Sequence, residues 1–227
     1  MNVKPLVIVN SVVIASMAAL SVWAWQSIPG DAQIPVHWGL DGVPDRYGSK
    51  VEALIVLPII AAVLTAIMWF LPRIDPRRAH LESSAKMWNA VTIAIAGLLA
   101  YVHVLLVLGA MGRRFDMTDY MIPAIAVMFI IIGNYISKTR SNWFAGVRTP
   151  WSMSSEYSWT KTHRLASKLF MGSGVLTLVT WLIAGAKVAT VVFIAAILIT
   201  AIGSVVVSYV YWKNDPARTD AAVNGHA

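Results

Sequence analysis

The sequence predicts an all-α integral membrane protein, a bundle of six transmembrane helices with both termini on the cytoplasmic side. Three observations predict it. Of 227 residues, 58% are hydrophobic and only 13% are charged, whereas an ordinary soluble domain carries about 25% charged residues. The apolar residues gather into runs long enough to cross a bilayer. The Lys and Arg residues gather mostly on one side of those runs. A chain so greasy and so poor in charge can neither clothe one soluble core in polar surface nor remain disordered. The absence of cysteine excludes disulfide frameworks, iron–sulfur clusters, thiolate zinc sites and cysteine nucleophiles.

A hydrocarbon core about 30 Å thick needs roughly 20 apolar residues of helix. The candidate spans are residues 5–25, 51–71, 87–108, 120–136, 169–186 and 188–212. Their interiors lack Asp, Glu, Lys and Arg, with Glu52 at the extreme edge of the second. A mid-span charge would cost roughly 2.5–3.5 kcal/mol. The first run follows Lys4, but it exceeds the roughly 7–15 residues of a signal-peptide core. It ends in Trp23 and Trp25, which suit an interfacial belt, so it reads as an uncleaved anchor. His103 stands alone in the third span and reads as an interhelical hydrogen bond; a proton relay would need an intramembrane partner. Gly172, Ser173 and Gly174 open the fifth span and suit close helix packing. Residues 185–187 part the last two spans, as a tight hairpin or a re-entrant turn. Residues 191–202 are apolar on every face, as lipid exposure demands. The expected organisation is a two-helix unit (1–71) with an outer loop (26–50), a four-helix unit (72–212) with an inner loop (137–168), and a polar, disordered tail (213–227).

Orientation follows from the basic residues. With both termini inside, thirteen of the 18 Lys and Arg residues fall on the cytoplasmic side and five outside. That is a positive-inside pattern. It also accounts for the net charge of +7 by attraction to anionic headgroups, without direct nucleic-acid binding.

Two loops exceed mere connectors. The outer loop carries three prolines (Pro29, Pro35, Pro44) and four glycines (Gly30, Gly39, Gly42, Gly48), which reject a helix and favour turns joined by extended pieces. Asp41-Gly42 is a turn dipeptide between such arms. His37, Trp38, Asp41, Asp45 and Tyr47 form an acidic, aromatic surface. It reads either as a docking platform for a cationic or amphipathic ligand or as a structured turn resting on the bilayer. One His among carboxylates is too few ligands for a transition metal, so no metal is expected.

In the inner loop, Thr149-Pro150 forces an extended residue before a helix start. Ser152 or Ser154 is expected to cap that helix, without a strict capping box from Ser152, and Glu156 suits its positive end. Trp159 and His163, four apart, share a face. Asn134, Asn142, Arg148, Thr149, Glu156, Thr162, His163 and Arg164 supply a dense set of hydrogen-bonding groups. They could build either a satisfied buried network or a binding site.

The string Asn134…Asn142-Trp143-Phe144-Ala145-Gly146-Val147-Arg148-Thr149-Pro150-Trp151-Ser152…Glu156…Trp159…Thr162-His163-Arg164 resembles the signature of the SdpI family of membrane immunity proteins. The outer stretch from Ile34-Pro35-Val36-His37-Trp38 to Tyr47-Gly48-Ser49-Lys50 resembles the N-terminal membrane domain of unknown function found in the same proteins. The resemblance implies a multi-pass plasma-membrane protein, without cofactor or enzymatic activity, that protects its host from a secreted peptide toxin. In some members it implies a soluble repressor held at the membrane. Phosphate-binding, zinc-protease and nucleophile-elbow motifs are missing from the sequence. An intramembrane hydrolase is therefore the weaker alternative. A small-solute or peptide transporter is the stronger one, although no internal repeat supports it.

Overall fold

The computed structural model describes residues 4–39 and 41–218. The chain runs α1 (Lys4–Ser27), β1 (Ile34–Trp38), β2 (Pro44–Gly48), α2 (Lys50–Ile74), α3 (Arg78–Ser83), α4 (Ala85–Ala110), α5 (Met117–Ile136), α6 (Pro150–Met153) and α7 (Glu156–Lys213). Five helices among the described residues are long and apolar enough to cross a membrane. The protein is therefore a helical, multi-pass membrane protein.

The fifth of these helices is a folded-back pair. At Gly185 the backbone takes φ 80 and ψ 172, a conformation open essentially to glycine alone. The two limbs then run side by side. Ser173 and Thr200 hydroxyls meet at 3.1 Å, and the Ser158 hydroxyl donates to the Ser208 carbonyl at 2.7 Å. The break lies within the 185–187 stretch that the sequence singles out, and it forms a hairpin.

Helices α1, α2 and α4 pack on one another, α5 packs on α4, and both limbs of α7 pack on α5. Phe129 of α5 stacks on Phe170 of the first limb and meets Phe193 of the second edge-on. Gly174 lets the first limb approach the Ala126 carbonyl of α5, where a Cβ would collide with backbone; Gly172 faces open space. Close packing therefore uses one of the two glycines. At the centre of the other group, His103 is fully buried. Its Nε2 lies 2.9 Å from the Ser21 hydroxyl, which also bonds the Leu54 carbonyl at 2.6 Å. One imidazole and one hydroxyl thus tie α4 to α1 and α2, as the interhelical reading expects.

The β1–β2 hairpin sits at one end of the bundle. Its Ile34 joins a buried cluster with Ala24, Ile28, Ala53, Leu54 and Val107, from α1, the segment after it, α2 and α4. Residues 137–155 gather at the opposite end, where Phe144 and Ala145 pack against Leu6, Leu81 and Trp88. The 25 residues of α2 separate the two ends by about 37 Å.

The tail departs from the expectation of disorder at its beginning. Asp215 is buried, accepts a hydrogen bond from the Ser155 hydroxyl at 2.5 Å, and caps the next turn through the Ala217 N–H. A carboxylate with two donors anchors the chain where composition alone suggests none. Residues 219–227, also assigned to that tail, lie outside the described residues.

Candidate functional site

At the hairpin end, β1 and β2 pair antiparallel, with irregular register around His37. Gly42 takes φ 79 at the turn, and the Asp41 carboxylate accepts from the Val43 N–H at 3.1 Å. The turn dipeptide thus works as its sequence suggests. Gly42 also abuts the Asp116 carboxylate that caps α5, leaving no room for a Cβ.

The sequence-derived surface is only partly brought together. His37 and Asp45 pair at 2.6 Å on the exposed face, while Asp41 and Tyr47 are exposed. Trp38 and His37 both line a cavity of about 340 Å³ beneath the hairpin, walled also by Val36 and Arg46, by Glu52 and Val56 of α2, by Leu106 of α4 and by Met117 and Met121 of α5. Arg46 and Glu52 bridge its rim at 2.6 Å. Sequence reasoning missed this pair; the signal was a basic strand residue six positions before an acidic first-turn residue. The cavity offers apolar walls, adaptable methionines and a charged rim, which suit an amphipathic ligand. Among the described residues no group of three or more His, Asp or Glu could hold a metal ion.

At the opposite end the dense polar set divides in two. One part is buried and satisfied. The Asn142 amide donates to the Arg140 and Ala145 carbonyls, at 2.9 and 3.0 Å, and its oxygen accepts from the Phe144 and Ala145 N–H groups, at 3.0 and 2.7 Å. The side chain therefore uses both donors and accepts twice. His163 stacks on Trp159 with ring centroids 4.0 Å apart. Its Nδ1 donates to the Trp159 carbonyl at 2.8 Å, so the bare Nε2 accepts from the Val147 N–H at 2.9 Å. Gly146, at φ 118, lies directly against that ring. The Trp159 indole donates to the Thr139 carbonyl at 2.9 Å. Thr149 caps α6 and bonds the Ser208 hydroxyl at 2.8 Å, tying the loop to the second limb of α7.

Capping differs from the expectation. Thr149 and Ser152 form a reciprocal capping box around α6, and Ser155 caps α7. Neither Ser152 nor Ser154 caps the long helix, because Pro150 at N1 starts a separate turn that ends at Ser154.

The other part of the set is exposed: Asn134 on α5, with Trp143, Arg148, Glu156 and Arg164. Trp151 is half-buried and meets Tyr209 edge-on. Thr162 is buried, with no hydrogen-bond partner for its hydroxyl among the described residues. Sequence reasoning also missed how the loop is held from α3 and its flanks. The Asp75 carboxylate accepts from the Trp143 N–H at 3.2 Å, Arg77 bonds the Ser141 hydroxyl, and His80 donates to the Ser141 carbonyl at 2.9 Å.

Comparison with known proteins places this loop. Residues 138–208 match the SdpI/YfhL protein family, and residues 12–62 match a domain of unknown function, DUF1648. That match covers under a third of the chain, which in this segment is similar to the SdpI/YfhL family. The SdpI segment thus begins at the inner loop and ends on the second limb of α7, and the DUF1648 segment holds the hairpin. The immunity protein SdpI of Bacillus subtilis (strain 168) is 22% identical over 209 residues, which cover 91% of this chain and 95% of that protein. No solved structure matches.

Proposed function

We propose that this chain is a bacterial plasma-membrane immunity protein. It crosses the bilayer six times with both termini in the cytoplasm, and it protects its host from a secreted amphipathic peptide toxin. The likeness along 91% of the chain to a protein named for immunity carries this reading. The charge distribution supports it. Among the described residues, the hairpin end holds six carboxylates against five basic residues, whereas the opposite end holds thirteen basic residues against four carboxylates. A cationic peptide is drawn to the first end and repelled by the second. Trp38, Tyr47 and the methionine-walled cavity meet its apolar face, while Asp41 and Asp45 steer its basic residues. No bond is made or broken. Protection comes from capture before the peptide can permeabilise the bilayer.

The signature loop serves as the inward-facing element, with Trp143, Arg148 and Arg164 available to a soluble partner such as a repressor. Such signalling requires the captured peptide to bind one loop arrangement more tightly than another.

Deleting the gene and challenging cells with the secreted toxin tests the function. Survival should fall in the deletion strain and return with the wild-type gene. Unchanged survival refutes immunity, and solute flux in proteoliposomes without peptide binding would make the protein a transporter.

A further inference from the structure

A second cavity lies at the signature-loop end. Its volume is about 210 Å³, and its walls include Leu71 of α2, Met87 and Trp88 of α4 and Ile136 of α5. Residues 144–146 of the loop roof it. The walls are apolar apart from Thr92, whose hydroxyl is bonded to the Trp88 carbonyl at 2.7 Å.

The surroundings of this cavity are not apolar. Arg73 follows Leu71 by two positions, Lys86 precedes Met87 by one, Lys138 follows Ile136 by two, and Arg148 follows Gly146 by two. All four are exposed. Arg148 reaches back to the Trp143 carbonyl, beside the roof. Trp143 itself is 52% exposed, as an indole at the headgroup level would be. The nearby carboxylate of Asp75 is buried and accepts from the Arg77 and Trp143 N–H groups. The result is an apolar chamber at the ends of three spanning helices, whose lining segments each carry an exposed cation within two residues of a lining position; Arg73 lies over the Trp69 ring and Lys138 over the Tyr135 ring.

We propose that this chamber is a binding site for one anionic phospholipid of the cytoplasmic leaflet. An acyl chain fills the space beneath residues 144–146, and the phosphate headgroup lies among Lys86, Lys138, Arg73 and Arg148. An apolar chamber accepts any acyl chain, so selection for the anionic lipid comes from the four cations. The bound lipid becomes part of the support of the signature loop. The inference takes the inward orientation of this end from the proposed topology, but it is independent of toxin immunity and would stand if that function failed.

Native mass spectrometry of the full chain tests it, with the protein released from detergent containing equal phosphatidylglycerol and phosphatidylcholine. One phosphatidylglycerol molecule should remain bound, in clear excess over phosphatidylcholine. Lys86→Gln with Lys138→Gln removes two charges without removing a hydrogen bond to the loop, and it should weaken retention about 30-fold, from about 1 kcal/mol per charge. Ala145→Leu should exclude the acyl chain and reduce retention of both lipids. A monodisperse size-exclusion profile shows that each variant is folded. The proposal is overturned if the wild-type protein retains no lipid or holds the two lipids equally. It is also overturned if the folded double variant keeps its preference for phosphatidylglycerol.

Discussion

Replacing His163 separates support from recognition in the signature loop. The side chain is fully buried, stacked on Trp159, and is the acceptor for the Val147 N–H. His163→Phe keeps a ring of similar shape but leaves that N–H without its acceptor, at a cost of about 1–3 kcal/mol. His163→Ala removes the acceptor and also the ring, and a large-to-small change of this kind costs about 3–5 kcal/mol. Together the losses in the Ala variant come to about 4–8 kcal/mol. The assay is thermal melting of the detergent-solubilised protein, followed by fluorescence-detected size exclusion, where each kcal/mol shifts the midpoint by on the order of 2–4 °C. The order should be wild type, then Phe, then Ala, with cellular abundance falling in parallel. If the Phe variant melts with the wild type, the hydrogen bond to Val147 is not supporting the loop. If the Ala variant melts normally but fails in the toxin challenge, His163 belongs to a binding site and the structural reading of this residue is wrong.

Asn142→Ala should lower the melting midpoint by a comparable amount, because it leaves Phe144 and Ala145 N–H groups and two carbonyls without partners; Asn142→Asp, which retains the acceptor oxygens, should fall between. Gly185→Ala, at φ 80, should disturb the hairpin and reduce folded yield, whereas Gly172→Ala, which meets open space, should leave yield unchanged; equal yields would refute the glycine requirement. Gly42→Ala should destabilise the hairpin by at least 1 kcal/mol or so, since strain at positive φ adds to a collision with Asp116. Single cysteines are clean probes in a cysteine-free chain. Tyr47→Cys should react with an impermeant maleimide in intact cells, and Trp143→Cys only after lysis. Reaction of both in intact cells would refute the six-crossing topology.

Much of this architecture was readable before any coordinates, because a bilayer imposes a strong rule on sequence. Helices must be apolar for about 20 residues, and the connections must carry the charge. That rule located the first four long helices to within a few residues and put the break between the last two runs at residues 185–187, although the fifth run's helix begins at Glu156, well before residue 169. Local chemistry was legible too: Asp41-Gly42 made its turn, and Trp159 and His163 shared a face because four residues make about one helical turn. The likeness of residues 138–208 to the SdpI/YfhL family was also carried by the string around Arg148 and Pro150.

Partnership was not legible, since hydrogen bonds between distant residues leave no periodic trace. Nothing in the spacing tells that Asp75 holds residue 143, that Ser155 meets Asp215, or that Ser208 answers Thr149. Nor could sequence divide the polar loop into its buried and exposed halves. His163 and Arg164 are neighbours, yet one is enclosed by Trp159 and Gly146 while the other faces outward, because adjacent positions on a helix point about 100° apart and only packing decides which side is covered. Trp38 likewise became a cavity wall rather than an open platform once the hairpin settled onto α2, α4 and α5. The sequence determined which segments avoid water, since that is a property of each segment alone. The tertiary structure decided which polar groups are enclosed, since that depends on what folds over them.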